Sequence, residues 1–246
     1  MIFKAIVSYD GTRYFGWQKT RMGPNIQEKI ASAILQITGE QVLPEAASRT
    51  DRGVHAEGQV IQFNLNKEYE PHRLQRSLNA VLPSDIRIAR LEFASADFHP
   101  TLDALAKEYH YRISLGPVQE PIDRLYAWHF HSPLDLEKMK IAANDLIGTH
   151  DFTALSNERS NEKEKDPLCK LMQIEIDCMD QGHLQLKITG NRFLYKMARN
   201  IAGILVYIGC GKLSQDCILS IIASRDRKKA GVTAPAHGLF LHKVFY

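Results

Sequence analysis

The sequence predicts an α+β chain of two ferredoxin-like halves, each a β-α-β-β-α-β run whose mainly antiparallel sheet carries helices on one face. Three observations lead there. Between residues 1 and 104 the apolar spacing switches between a period of two and a helical period in that order. Residues 105–246 repeat the order with extra pieces and no sequence self-similarity. Gly, Pro and Asp-Gly signals punctuate the changes of period. Two such sheets side by side leave a central cleft, where ligands usually sit.

The first half begins with Ala5, Val7 and Tyr9 alternating with Lys4, Ile6 and Ser8, a strand closed by the turn Asp10-Gly11. Thr12-Arg13-Tyr14-Phe15-Gly16-Trp17-Gln18-Lys19-Thr20-Arg21 then interleaves aromatics with cations. That suits a surface that stacks bases and holds phosphates; it equally suits a hairpin whose aromatics cover the core. Asn25-Ile26-Gln27-Glu28 is a variant capping box. Ile26, Ile30, Ile34 and Ile37 follow at helical spacing, and Gly39 stops the helix. Residues 42–47 read as a strand. Ile61, Phe63 and Leu65 alternate with Gln62 and Asn64 in the next. Pro71 starts a helix carrying Leu74 and Leu78, Pro83 ends it, and residues 86–92 close the half as a strand. Phe98-His99-Pro100-Thr101 has no period and marks the hinge.

In the second half, Tyr109, Tyr111, Ile113 and Leu115 share one face of a strand. Trp128-His129-Phe130-His131 is a second short strand. Asp135 caps a helix carrying Leu136, Met139, Ala143 and Leu146 and ended by Gly148. Residues 156–166 are charged without an apolar anchor and read as a mobile loop. Met172, Ile174, Ile176 and Cys178 form a strand whose antiparallel neighbour carries Leu184, Leu186 and Ile188, with Gly182 in the turn. A long helix over 193–208, a second over 215–223 and a strand over 238–244 finish the chain.

Composition excludes more than it selects. A chain of 246 residues with 44% hydrophobic and 24% charged content is an ordinary globular protein. A net charge of +3 does not by itself demand nucleic acid, since clustering matters more than the total. Cys169, Cys178, Cys210 and Cys217 form no C-x-x-C pair and read as reduced thiols. The apolar run near 201–208 is too short for a bilayer, and the first residues read as a strand rather than a signal peptide. The expectation is a cytoplasmic protein with no membrane partner.

One stretch stands out: Ala46-Ala47-Ser48-Arg49-Thr50-Asp51-Arg52-Gly53-Val54-His55-Ala56-Glu57-Gly58. A carboxylate flanked by arginines lies in a Gly-punctuated loop between two strands. A surface turn held by local ion pairs is the plain alternative, because surface charges are usually just solvated.

With that loop placed, the chain resembles the TruA family of tRNA pseudouridine synthases. Five blocks carry the resemblance, in the same order from end to end. They are Tyr9-Asp10-Gly11-Thr12 through Phe15-Gly16-Trp17-Gln18; Arg49-Thr50-Asp51-Arg52-Gly53-Val54-His55-Ala56; Phe98-His99; Phe193-Leu194-Tyr195-Lys196-Met197-Ala198-Arg199-Asn200-Ile201-Ala202-Gly203; and Thr233-Ala234-Pro235-Ala236 with Gly238-Leu239-Phe240-Leu241. The resemblance implies that Asp51 is the catalytic aspartate, that Tyr109 stacks on the target base and that Arg199 is the basic partner of the aspartate. It implies uridine isomerisation in the anticodon stem-loop, at positions 38, 39 or 40 of tRNA, by a homodimer with no metal and no other cofactor. Ser48, Arg52, Pro100-Thr101 and Cys169-Lys170 depart from the commoner pattern.

The chemistry is an isomerisation: the C1′–N1 bond breaks and a C1′–C5 bond forms. Asp51 can attack C1′, attack the base or remove a sugar proton. It must be ionised, and Arg199 on the long helix supplies the opposite charge; a core-edge cation is the alternative for Arg199. The nucleotide must leave its stem. Tyr109 offers a flat ring, and a hydroxyl to exchange the C5 proton, or else it is a core tyrosine on an alternating strand. Arg49 either holds a phosphate or fills the stack, or it pairs with Glu45 or Glu57. Lys19, Arg21, Arg13, Arg52 and Lys196 are candidate phosphate contacts. Arg225-Asp226-Arg227-Lys228-Lys229 is another, or simply a solvated helix end. His129 and His131 lack a third ligand, so no metal site is expected, and His55 reads as structural. A non-catalytic RNA-binding module on the same fold is the alternative function, disfavoured because binding alone has no use for the acid. An Asp/His hydrolase lacks a nucleophile or an oxyanion device.

Overall fold

In the computed structural model, residues 1–158, 166–180 and 182–246 are described. The chain runs β1 (Ile2–Tyr9), α1 (Ile26–Thr38), β2 (Glu45–Ala46), β3 (His55–Asn64), α2 (Pro71–Val81) and β4 (Ile86–Phe93). It continues through β5 (Ala106–Leu115), β6 (Trp128–Phe130), α3 (Leu136–Asn144), β7 (Gly148–Asp151), β8 (Leu168–Asp180) and β9 (His183–Gly190). It ends with α4 (Met197–Gly209), α5 (Ile218–Ser224) and β10 (Leu239–Phe245). It is an α+β protein whose strand pairing is mixed and mostly antiparallel. Two compact units divide it: Met1–Leu105 with Phe240–Tyr246, and Ala106–Leu239.

In the first unit β1 lies between β3 and β4, antiparallel to both. Its alternation buries Phe3, Ala5, Val7 and Tyr9 on one face. Opposite them α1 contributes Ile26, Ile30 and Ile34, and α2 contributes Leu74 and Leu78. The capping box forms in altered form. Asn25 Oδ1 accepts the Glu28 N–H at 2.9 Å, while Glu28 accepts from the Asn25 side-chain amide at 2.6 Å rather than from backbone. Gly39 ends α1 at φ +75°, a left-handed position that suits glycine. Pro71 opens α2, with the Glu70 carboxylate accepting from the N–H groups of His72 and Arg73. The strand expected over 42–47 contracts to Glu45–Ala46, because Pro44 has no N–H to give a ladder.

β10 is the larger departure. The sequence reading counts the last strand with the second half, yet it pairs in parallel with β3, Phe240 opposite His55 and Leu241 opposite Ala56. Alternation announces a strand but carries no information about which sheet edge receives it.

In the second unit β5 pairs with β6 in parallel and with β9 antiparallel, β9 pairs with β8, and β8 with β7. α3 has its Asp135 cap, accepting the Lys138 N–H at 3.1 Å. β7 has no counterpart in the sequence reading; four residues are too few to display a period. α4 starts at Met197, not 193. The residue before it, Lys196, sits at φ +61°, which a non-glycine side chain adopts only under strain. The helix expected over 215–223 divides into a 3-10 turn at Gln215–Cys217 and α5. The expected mobile loop over 156–166 falls mainly on 159–165, outside the described residues.

Candidate active site

Asp51 follows two residues that are pinned from elsewhere. The Gln59 side chain, fully buried on β3, clamps Ser48 from both sides. Its Nε2 donates to the Ser48 carbonyl at 2.7 Å, and its Oε1 accepts the Ser48 N–H at 3.2 Å. The same Nε2 donates to the Tyr9 hydroxyl at 3.3 Å, which lies 2.7 Å from Thr50 Oγ1. The Thr50 carbonyl accepts the Trp17 N–H at 3.0 Å.

Beyond Asp51 the chain turns at once. The Asp51 carbonyl accepts the Val54 N–H at 3.1 Å, and Gly53, at φ +76°, donates to the Tyr14 carbonyl at 3.3 Å. Next comes His55, buried and stacked on Phe240 with ring centroids 4.6 Å apart. The Gly11 N–H lies 3.0 Å and an Asp10 carboxylate oxygen 3.1 Å from its Nδ1. Burial, stacking and these neighbours suit the structural role expected of His55.

The segment from Asp10 to Lys19 thus works as a clamp on the Asp51 loop. A Cβ on Gly11 would lie 2.0 Å from the Val54 carbonyl oxygen, and one on Gly16 would lie 2.5 Å from that of Thr50. Only glycine lets the two loops approach so closely. The aromatics of this segment are scaffold: Tyr14 is 4% and Trp17 2% exposed. Between a base-stacking surface and a core cover, these two take the second role. Burial, with the Asp85 carboxylate accepting its hydroxyl at 2.7 Å, raises the Tyr14 pKa and keeps the phenol protonated. Phe15 differs. The Arg52 guanidinium lies 4.2 Å from its ring centroid.

The second unit holds the other two expected catalytic residues. Tyr109, 6% exposed, sits on β5 opposite Ile188, with Phe193 edge-on at 4.8 Å. Tyr111, two residues on, is fully buried, and its hydroxyl donates to the Pro235 carbonyl at 2.8 Å. Burial raises its pKa well above the ordinary tyrosine value, against a lowering by Arg199. Arg199 lies in the first turn of α4. Its Nε donates to the Ala234 carbonyl at 2.8 Å, and its own carbonyl accepts the Ala234 N–H at 3.2 Å. One turn on, Gly203 admits the same segment: a Cβ there would lie 1.9 Å from the Val232 oxygen. Burial lowers the His237 pKa against a backbone hydrogen bond with Ala127, with a smaller lowering from the Arg199 charge, so the imidazole is mostly neutral at pH 7.

Behind Arg199 lies a polar cluster that the sequence does not announce. The Arg227 Nη2 donates to Asn200 Oδ1 at 2.8 Å and Thr233 Oγ1 at 2.7 Å, and its Nη1 to the Gly231 carbonyl at 2.9 Å. Asn200 donates onward to Leu155 at 2.8 Å and Asn157 at 3.0 Å. Arg227 belongs to the charge run 225–229, and nothing in a charge run tells a half-buried, bonded arginine from a solvated one. Burial lowers its pKa.

The remaining expected contacts divide. Arg13 pairs with Asp85 at 2.6 Å and Lys19 with Glu28 at 3.2 Å, both on the surface. Arg21, Arg49 and Arg52 are exposed, and Lys196 is half-buried with its ammonium 5.0 Å from the Tyr195 ring centroid. His129 Nε2 lies 2.8 Å from the Gly116 carbonyl, and His131 stacks on Phe130.

Comparison with known proteins places these residues in a family. Residues 5–101 and 142–246 match the family model described as tRNA pseudouridine synthase. The chain is 47% identical over 244 residues to tRNA pseudouridine synthase A 2 of Protochlamydia amoebophila, covering 99% of this chain and 93% of that one. It is 41% identical over 241 residues to tRNA pseudouridine synthase A of a Thermoanaerobacter species, covering 98% of each. Against tRNA pseudouridine synthase A of Bacillus pumilus it is 41% identical over 248 residues, covering 100% and 99%.

Proposed function

The chain belongs to the tRNA pseudouridine synthase family, an isomerase family, and from that premise we propose that Asp51 is its nucleophile or base. In this reading it acts on uridines of the anticodon stem-loop, at positions 38, 39 or 40 of tRNA. The observation that carries the proposal is the pinning of Asp51: bonds from β1, β3 and the 11–17 segment fix the backbone on both sides of one carboxylate. A solvated turn needs no such support. A reacting group does, because displacement of about 1 Å can cost roughly a hundredfold in rate.

The remaining residues divide the other tasks. Arg199 is the counter-charge of the carboxylate, its guanidinium aimed by the Nε bond to Ala234. Tyr109 stacks on the extruded uracil, and its hydroxyl passes the C5 proton. Tyr111 cannot share the second task, since its hydroxyl is already committed to Pro235. Arg49, Arg52, Lys19, Arg21, Arg13 and Lys196 hold phosphates. The product is an isomer of the substrate, so the reaction consumes no co-substrate, and the reading carries over from the family resemblance that it takes no metal. The same reading has tRNA engage both ferredoxin-like halves in a cleft, in a cytoplasmic homodimer. It assigns 1–104 to the aspartate and 105–246 to the tyrosine and arginine.

The test maps pseudouridine in tRNA from cells with and without the gene, beside purified Asp51→Asn. Loss at the anticodon stem-loop, a turnover lower by about 10³-fold or more and tRNA affinity within about twofold are expected. Near-normal turnover of Asp51→Asn removes Asp51 from the chemistry. An unchanged modification map removes the assigned positions.

A further inference from the structure

We infer that Gln59 is a positioning residue for the Asp51 carboxylate, acting through Ser48 and through a relay of two hydroxyls, Tyr9 and Thr50. The inference rests on Asp51 being the reacting group.

The argument begins in the ladder. Residues 59, 61, 63 and 65 share the buried face of β3 and its continuation, and all but Gln59 are apolar. An amide in that row would cost a few kcal/mol if its groups were unpaired. A methionine of similar length would avoid that cost. The β1–β3 register shifts between Val7, opposite Gln59, and Tyr9, opposite Ala56. Two residues of β1 therefore span three of β3, and the bulge brings the Tyr9 hydroxyl within reach of the Gln59 amide.

All three bonds of that amide run toward Asp51. Two go to the N–H and carbonyl of Ser48, three residues before it, and fix the two peptide groups that flank its Cα. The third goes to the Tyr9 oxygen. The same Tyr9 oxygen is hydrogen-bonded at 2.7 Å to Oγ1 of Thr50, the residue immediately before Asp51. Thr50 is held again at its carbonyl by Trp17. A residue serving stability alone could satisfy its amide on any neighbour; this one addresses the two sides of the approach to the carboxylate.

The test uses the full-length enzyme with tRNA and three variants. Gln59→Met keeps the length and removes the bonds. The kcat should fall about 10- to 100-fold with the KM for tRNA within about twofold. Gln59→Glu supplies a pH readout. As a carboxylate, residue 59 has nothing to donate to the Ser48 carbonyl or to Tyr9. Protonated, it regains a donor for the former while still accepting the Ser48 N–H. Its kcat, as a ratio to wild type, should therefore rise as pH falls from about 8 to about 6, burial having raised the acid's pKa. Tyr9→Phe, which fills the same core space, should lose about 3- to 10-fold in kcat by cutting the relay alone.

Wild-type kcat in Gln59→Met or Tyr9→Phe overturns the inference. So does a flat Gln59→Glu ratio, or a loss that merely tracks the folded fraction. Asp51→Asn run alongside separates the two readings. If it stays active, the assignment of Asp51 has failed; if it is inactive while Gln59→Met is normal, only the positioning role has failed.

Discussion

The Asp51 loop and the Tyr109–Arg199 region hold, by opposite means, the side chains proposed to act. Tyr109 and Arg199 ride on a strand and a helix, whose ladders and packing fix them as they fix their neighbours. Asp51 has no regular structure of its own. Its backbone is held in large part by side chains and carbonyls from β1, β3 and the 11–17 segment. The first design is sturdy because it is repeated along an element. The second is exact in placement but dispersed, so a change far away in sequence can reach the carboxylate. Loops positioned by a rigid scaffold commonly carry function, and here much of the scaffold is itself irregular.

The contrast can be broken first with glycines. Gly16→Ala drives a Cβ toward the Thr50 oxygen at a φ of +92°, and Gly203→Ala drives one toward the Val232 oxygen. Each should cost upward of about 2 kcal/mol in urea denaturation. At matched folded fraction, Gly16→Ala should lose more single-turnover rate than Gly203→Ala, because its clash moves the peptide adjoining Asp51. Equal rate losses would show that the loop is no more exposed to distant changes than the helix is.

A milder pair of substitutions sharpens the second region. Tyr109→Phe should lower turnover by about 10²-fold or more while tRNA binding persists. Tyr111→Phe should cost about 1 kcal/mol of stability, the bond to Pro235, and leave turnover near normal. Reversed effects would exchange the roles of the two tyrosines. The smallest change concerns the surface. Arg52→Ala should reduce the salt dependence of tRNA binding by about one phosphate. Arg13→Ala should reduce it less, because Asp85 already shares that charge. A larger effect at Arg13 would mean the ion pair opens on RNA.

Much of this was legible in the chain. Asn25, Pro71 and Asp135 mark helix starts through local chemistry, and each does what its residue type does elsewhere. The Asp51 loop stood out by charge and glycine, but those alone suit a solvated turn, and only the resemblance gave the carboxylate a role. Other features depend on partners distant in sequence. Trp17 and Tyr14 look like a stacking surface until the loop they pack under is known. The delay of α4 to Met197 rests on a left-handed Lys196 that no propensity would place there. Gln59 did leave a trace, a polar residue on an apolar row, but its meaning lies in Ser48 and Tyr9. The parallel partner of β10 left none.

That last strand sets an order of events. β10 completes a sheet begun by β1, so the unit made first by the ribosome is finished last. Until Phe240 emerges, the His55 ring lacks the partner it stacks on, and Glu57 lacks His242 at 2.6 Å. Leu105 and Phe98 likewise wait for Phe245 and Tyr246. Contacts of such long sequence separation are slow to close. The start of the strand that carries Gln59 and follows Asp51, at His55 and Ala56, therefore stays without its parallel partner until the last strand is made.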